Sequence, residues 1–263
     1  MHEGIYIAAS GAFKQERKLD VIANNLANMG TTGFKRDGMS FREMIPPFTK
    51  TANSSASLDP KPTAFQPDPK VSYVGIASMY TDASNGTMRQ TGNALDLALD
   101  GDGYFVIETS EGQRYTRNGN LKLAEDGTLS THEGFKVLGK NSKPIKIDTK
   151  GGQISISPSG AITVGNGQQS TPQGDLQLVS FRDPTKLAKQ GNGLYRIEDP
   201  SAGKQPIKNV SVQQGFLETS NVNPIEEMTN MIVTMRGFEA YQKIIQSIDE
   251  ADEQAVNAIG RLA

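Results

Sequence analysis

Chemistry in a protein starts with side chains that titrate or bind metal, and this chain has few suited to it. Its 263 residues include two histidines, His2 and His132, and no cysteine. That removes a thiol nucleophile, a thiolate metal site and a disulfide framework, and it leaves little acid–base material near neutral pH. Asp100-Gly101-Asp102-Gly103 resembles the opening of a calcium loop, with Glu111 at the twelfth position. Phe105 stands where that loop needs glycine, however, and Tyr104 replaces a ligand. Tyr104–Ile107 also reads as a strand, so the acidic stretch is expected to be a turn between two strands. No G-x-S-x-G, P-loop, H-E-x-x-H or G-x-G-x-x-G occurs. His132 reads as a turn residue. Glu226-Glu227 suits a helix N-terminus, while Asp249, Glu250, Asp252 and Glu253 read as a solvated face. The expectation is a chain that is not an enzyme, with no catalytic residue, metal ligand, cofactor or small-molecule substrate.

Charge and hydropathy narrow the class further. With 27 basic and 29 acidic residues the net charge is −2, which does not suit a nucleic-acid partner. Apolar residues make up 36%, and no run approaches the ~18 needed to span a membrane. Ile5–Phe13 is apolar, but Glu3 stands where a secretory signal wants basic residues, and the apolar period continues past residue 20. This predicts a retained helix, in a chain that is either cytoplasmic or exported without cleavage.

The elements that must position any site are unevenly distributed. Residues 1–45 and the chain after Pro224 hold no proline, whereas six of the 13 prolines fall in 46–69. Ile5, Ala8, Ala12, Gln15, Leu19, Ile22, Leu26 and Met29 recur in alternating steps of three and four, the spacing of a heptad seam on a helix over about 3–28. At the other end Asn223, Pro224 and Glu226 form a helix start, and the stripe Ile225, Met228, Ile232, Met235, Phe238, Tyr241, Ile245 and Ile248 follows it. Asp252 interrupts that stripe. The middle alternates like β structure at Leu95/Leu97/Leu99, Ile154/Ile156, Leu176/Leu178 and Val210/Val212. Asn118-Gly119 and Asp126-Gly127 read as hairpin turns.

The expected fold is therefore α+β. N- and C-terminal α-helices pair as a coiled-coil-like helical domain, and a central all-β barrel- or sandwich-like domain is inserted between them. The expected segments are 1–30 (first helix), 31–80 (a turn and a Pro-rich extended linker), 81–217 (β domain) and 218–263 (last helix).

Two end motifs and one central motif carry a resemblance. Asn24-Asn25-Leu26-Ala27-Asn28 with Thr31-Thr32-Gly33-Phe34-Lys35 resembles the N-terminal signature of the axial proteins of the bacterial flagellum. Leu217-Glu218-Thr219-Ser220-Asn221-Val222-Asn223 with Glu226-Glu227-Met228 resembles their C-terminal signature. Leu97–Phe105 and Tyr115–Gly119 resemble the β domain shared by rod and hook members. Gly4–Ala12 and Arg236–Lys243 are more similar to the proximal-rod member than to the distal one.

The resemblance implies a structural subunit, exported through the flagellar export apparatus without a cleaved signal. It implies polymerisation with itself and neighbouring rod proteins into a hollow periplasmic shaft that transmits torque. Ile5, Leu19, Ile22, Leu26, Ile232, Met235, Phe238, Ile245 and Ile248 are the expected assembly seam. Asn24, Asn25, Leu26, Asn28, Gly33, Phe34, Asn221, Val222 and Asn223 are the signature positions. The end helices are expected to be poorly ordered in a free monomer. A β-rich surface-binding protein with a helical stalk, or a hydrolase with a carboxylate site, are the readings from other classes.

Overall fold

The computed structural model describes residues 2–44, 73–148, 152–165, 170–207 and 210–260. The linker expected at 49–70 lies outside the described residues. The chain divides into two units, one drawn from Met1–Asn24, Gly38–Tyr80 and Ile225–Ala263, the other from Asn25–Asp37 and Thr81–Pro224.

The first unit is built on two helices. α1 covers His2–Ala27 and α2 covers Pro224–Gly260, a run of 37 residues. Neither interior contains proline, and Glu226 and Glu227 sit in the first turn of α2, where acidic groups meet the positive end of the helix dipole. The helices touch at three glycines. A Cβ added at Gly4 would lie 3.4 Å from Ile248 Cδ1, one at Gly11 2.4 Å from the Tyr241 ring, and one at Gly237 2.7 Å from Gln15 Nε2. The residue numbers rise on one helix as they fall on the other, so the two run antiparallel in one register.

The same unit holds a two-stranded ribbon, β1 (Asp37–Met44) with β2 (Tyr73–Thr81). Ser40 Oγ and Ser78 Oγ are 2.8 Å apart, and a Cβ on Gly38 would strike the Tyr80 ring. These segments were expected as turn and linker within 31–80. Met44, Val74, Ile76, Met79 and Tyr80 are exposed while Met39 and Phe41 are half-buried, so the ribbon has no buried apolar face of the kind a period-two pattern marks.

The second unit is the β-rich region. In chain order it holds β3 (Met88–Gln90), β4 (Leu97–Asp100), β5 (Tyr104–Thr109), β6 (Gly112–Thr116), β7 (Leu121–Leu123), β8 (Leu129–Thr131) and β9 (Lys136–Val137). There follow β10 (Gln153–Ile156), β11 (Ala161–Gly165), β12 (Ser170–Asp175), β13 (Leu178–Phe181), β14 (Leu187–Lys189), β15 (Leu194–Ile197), β16 (Lys204–Pro206), β17 (Ser211–Gln214) and β18 (Phe216–Glu218). β5 is the hub. It pairs antiparallel with β6 (Val106 opposite Tyr115), with β9 (Ile107 opposite Val137) and with β13 (Phe105 opposite Leu178).

Both faces of β5 are buried, which is why Tyr104–Ile107 reads as a continuous apolar run. Phe105 and Ile107 enter one core with Leu97, Leu99, Leu129 and Ile162. Tyr104 and Val106 enter a second with Tyr115, Phe181 and Tyr195. There the Tyr115 and Phe181 rings meet edge to face at 4.9 Å, a preferred aromatic geometry.

One expected hairpin is real and one is not. β7 and β8 pair through Asp126-Gly127, where Gly127 has φ +76. Asn118-Gly119 does not join a hairpin, because β6 pairs with β5 and β15 while β7 pairs with β8. Gly119 instead lets the Leu97 carbonyl approach; a Cβ there would sit 1.7 Å from Leu97 O. The glycine serves a close backbone approach, not a turn.

Candidate assembly site and signature core

The two signature motifs meet in the second unit. Asn25 Nδ2 donates to Asp37 O, and Asp37 N donates back to Asn25 Oδ1, both at 2.9 Å. The side-chain amide thus pairs with the backbone as a strand residue would. Gly33, with φ +68, donates its N–H to Glu218 O at 2.8 Å. Asn221 bonds in both directions: its Oδ1 accepts from Arg36 N at 2.7 Å, and its Nδ2 donates to Asp82 O at 3.0 Å. Segments near opposite ends of the chain are therefore joined residue to residue.

At the centre of this junction lie three buried charges. Lys35 Nζ is 2.6 Å from Glu218 Oε1, and Arg117 Nε is 2.9 Å from Glu218 Oε2. Each side chain is only 2% exposed. Other polar groups of the cluster bond to neighbours, while Arg117 Nε and Glu218 Oε2 face each other as an ion pair without hydrogen-bond geometry. Lys35 Nζ donates to Ser84 O, Gly86 N donates to Glu218 Oε1, and the Arg117 guanidinium donates to Gly101 O, Gly103 O and Asn85 Oδ1. Burial, the largest influence, holds the Lys35 ammonium below the usual lysine range; Glu218 opposes that and Arg117 adds to it.

A second lysine backs the first motif. Lys189 Nζ lies 2.7 Å from Asp37 Oδ1, donates to Lys35 O, and stands 4.2 Å over the Phe34 ring. Burial lowers its pKa too, against the pull of Asp37.

This arrangement locks chain segments to one another. The acidic stretch 100–103 joins β4 to β5, and Glu111 bonds Arg114 at 2.8 Å. His132 Nε2 lies 2.9 Å from Asn120 Oδ1 at the surface. Among the described residues no His/Cys/Asp/Glu group is placed to hold a metal. A hollow of about 500 Å³ between Lys140, Leu176, Leu178, Lys204 and Ile207 has no acid among its lining residues.

The expected signature positions divide. Asn25, Gly33 and Val222 are buried, Leu26, Asn28, Phe34 and Asn221 half-buried, and Asn24 and Asn223 exposed. Lys35, Arg117 and Glu218, although inside the resembling motifs, were not picked out as site residues. Nothing in a sequence marks a charge as buried.

The expected seam also divides. Ile22 is buried; Ile5, Leu19, Leu26, Phe238, Ile245 and Ile248 are half-buried. Ile232 and Met235 are 54% and 48% exposed, with Ile225 and Met228 exposed beside them, while Glu227 and Thr234 are buried on the same helix. The first half of the α2 stripe thus faces outward.

Two long end helices, a β-rich region between them and a junction of hydrogen bonds and buried ion pairs define an α+β chain whose organisation is structural. Residues 5–35 match the family described as flagella basal body rod protein. Residues 98–164 match the flagellar hook protein FlgE/F/G D1 domain, and 213–258 match the flagellar basal body rod FlgEFG protein C-terminal family. The chain is 38% identical to the flagellar basal-body rod protein FlgG of Bacillus subtilis, over 98% of this chain and 99% of the relative. It is 33% identical to the flagellar basal-body rod protein FlgF of Caulobacter vibrioides, over the full length of both. The chain belongs to the flagellar basal-body rod protein family.

Proposed function

We propose that this chain is a structural subunit of the flagellar basal-body rod, without catalytic activity, that assembles with neighbouring rod proteins. Family membership along the whole length supports the class. The observation that carries the assembly reading is the outward-facing apolar stripe on α2: Ile225, Met228, Ile232 and Met235 are each at least 46% exposed. Exposed, contiguous apolar surface of this kind serves protein–protein contact.

In this reading α1 and α2 pair as a coiled-coil-like hairpin through the half-buried seam, and the exposed residues bind other copies. The central region is a barrel- or sandwich-like body, and within it the Lys35–Glu218–Arg117 cluster joins the segment that follows α1 to the segment that precedes α2. The subunit travels through the flagellar export apparatus without losing a signal peptide and works in the periplasm, carrying torque from motor to hook. Gly4–Ala12 and Arg236–Lys243 support a proximal position in the rod. No helix among the described residues is long and apolar enough to cross a membrane.

A strain lacking the gene, examined by electron microscopy, tests the reading. Loss of the rod and of motility is expected, and an intact, motile flagellum overturns it.

A further inference from the structure

Asparagine is followed by glycine at Asn85-Gly86, Asn118-Gly119, Asn166-Gly167 and Asn192-Gly193. Such a pair can react with itself. The glycine nitrogen attacks the asparagine Cγ and gives its proton to solvent, a five-membered succinimide closes, and the side-chain nitrogen leaves as ammonia. Water then opens the ring at either carbonyl, giving aspartate or isoaspartate. Glycine favours the attack because no Cβ crowds its nitrogen. In a folded chain the reaction also needs a glycine N–H that is not held in a hydrogen bond, and an asparagine amide that can turn towards it.

Two of the pairs are tied down. At Asn85-Gly86 the buried cluster holds both groups: Gly86 N donates to Glu218 Oε1 at 2.9 Å, and Asn85 Oδ1 accepts from Arg117 Nη2 at 2.6 Å. At Asn118-Gly119 the Asn118 Oδ1 accepts from Asn120 N at 3.0 Å, and Gly119 O accepts from Leu97 N at 2.9 Å. Gly119 is also pressed against the Leu97 carbonyl, which leaves its backbone no room to move. Asn166-Gly167 lies outside the described residues.

Asn192-Gly193 is held differently. It forms the turn between β14 and β15, closed by Leu194 N donating to Gly191 O at 2.9 Å. Gly191, Asn192 and Gly193 have φ of +83, +50 and +69, a left-handed run that asparagine tolerates better than other side chains. Asn192 is exposed, and among the described residues neither its amide nor the Gly193 N–H has a hydrogen-bond partner. The surroundings are open as well, since a Cβ on Gly193 would meet nothing nearer than 3.8 Å.

We propose that Asn192 is a self-modification site, converted to aspartate and isoaspartate in the folded chain without an enzyme. The change is not silent. Asn192 lines a hollow of about 220 Å³ with Glu111, Arg114, Gln190 and Leu194. Arg114, 7% exposed, already bonds Glu111 Oε2 at 2.8 Å and Gln190 Oε1. Conversion puts a second carboxylate around that single guanidinium. Isoaspartate also routes the main chain through the former side chain, which lengthens the tight turn by one atom and loosens its closure. The site lies in the β-rich unit and does not depend on the assembly reading.

The test follows the purified chain at mildly alkaline pH, once folded and once in denaturant, with peptide mapping by mass spectrometry. In denaturant Asn85, Asn118 and Asn192 should convert at comparable rates. In the folded chain Asn192 should keep converting, while Asn85 and Asn118 slow by more than about tenfold, because they react only when their surroundings open. Equal slowing of all three, or a folded-state rate at Asn85 or Asn118 that matches Asn192, overturns the assignment. Isoaspartate among the Asn192 products marks attack by the backbone nitrogen. Aspartate alone would mean direct hydrolysis of the amide and would overturn that step.

Discussion

Lys35 Nζ and Glu218 Oε1 lie 2.6 Å apart across 183 residues of chain, both buried, with Arg117 on the other carboxylate oxygen. The cluster carries two positive charges and one negative, so its members are not equivalent. Glu218→Gln leaves two cations buried without a counter-charge and should cost about 3–5 kcal/mol of stability. Lys35→Met leaves a balanced Arg117–Glu218 pair and should cost less, about 1–3 kcal/mol. Denaturant unfolding of the two variants checks the order, and a larger loss for Lys35→Met would show that the cluster is wrongly described.

Glycine positions separate backbone strain from crowding. Gly33 has φ +68, and a Cβ there would lie 2.6 Å from the Arg117 carbonyl carbon. Gly30 has open space and no positive φ. Gly33→Ala should destabilise by about 2–4 kcal/mol, whereas Gly30→Ala should change stability by less than about 0.5 kcal/mol. Thermal unfolding of both, side by side, decides it.

The helix register rests on close contacts. Gly11→Ala should drive a methyl into the Tyr241 ring and loosen the hairpin, and Tyr241→Ala in the same chain should recover part of that loss. A double-mutant cycle on helix stability should give a coupling of about 1 kcal/mol or more. Strict additivity would mean that the two helices do not meet there.

Ile232→Asp separates folding from assembly. Because Ile232 is 54% exposed, the charge would not be buried in the isolated chain, and stability should change by less than about 0.5 kcal/mol. Rod formation should fail, because docking a second copy would bury the carboxylate unpaired. Normal rods with this substitution, scored by electron microscopy and motility, would remove Ile232 from the interface.

Alkaline pH should weaken the β region through Tyr104. Burial pushes its phenol up from 10 to about 12, so the neutral form is favoured in the folded state. That contribution is complete below pH 10 and is lost as pH rises through 12, a change of about 3 kcal/mol. Lys35 acts with the opposite sign: its lowered pKa adds stability as pH rises through the range just below 10.5. Stability of Tyr104→Phe should therefore fall less steeply than wild type between pH 10 and 12.

Much of the local structure is legible in the residues. The heptad spacing of 5–29 and the Asn223-Pro224-Glu226 start anticipate α1 and α2, which cover His2–Ala27 and Pro224–Gly260. Tyr104–Ile107 anticipates β5, and Asp126-Gly127 its hairpin. These signals are local, set by period, capping and turn chemistry within a few residues. The β1–β2 ribbon and the true use of Gly119 escaped because each depends on a strand or carbonyl distant in sequence.

The family motifs were also legible, but not what they do. Chemistry and spacing by themselves determined two long apolar-striped helices, a turn-rich β centre and the scarcity of catalytic material. Tertiary structure alone decided that Lys35, Arg117 and Glu218 form one buried cluster, and that the α2 stripe is inward at Ile245 but outward at Ile232. The reason is physical. Helical period reports which residues share a face, whereas burial depends on what packs against that face, and for Ile232 no part of its own unit covers it.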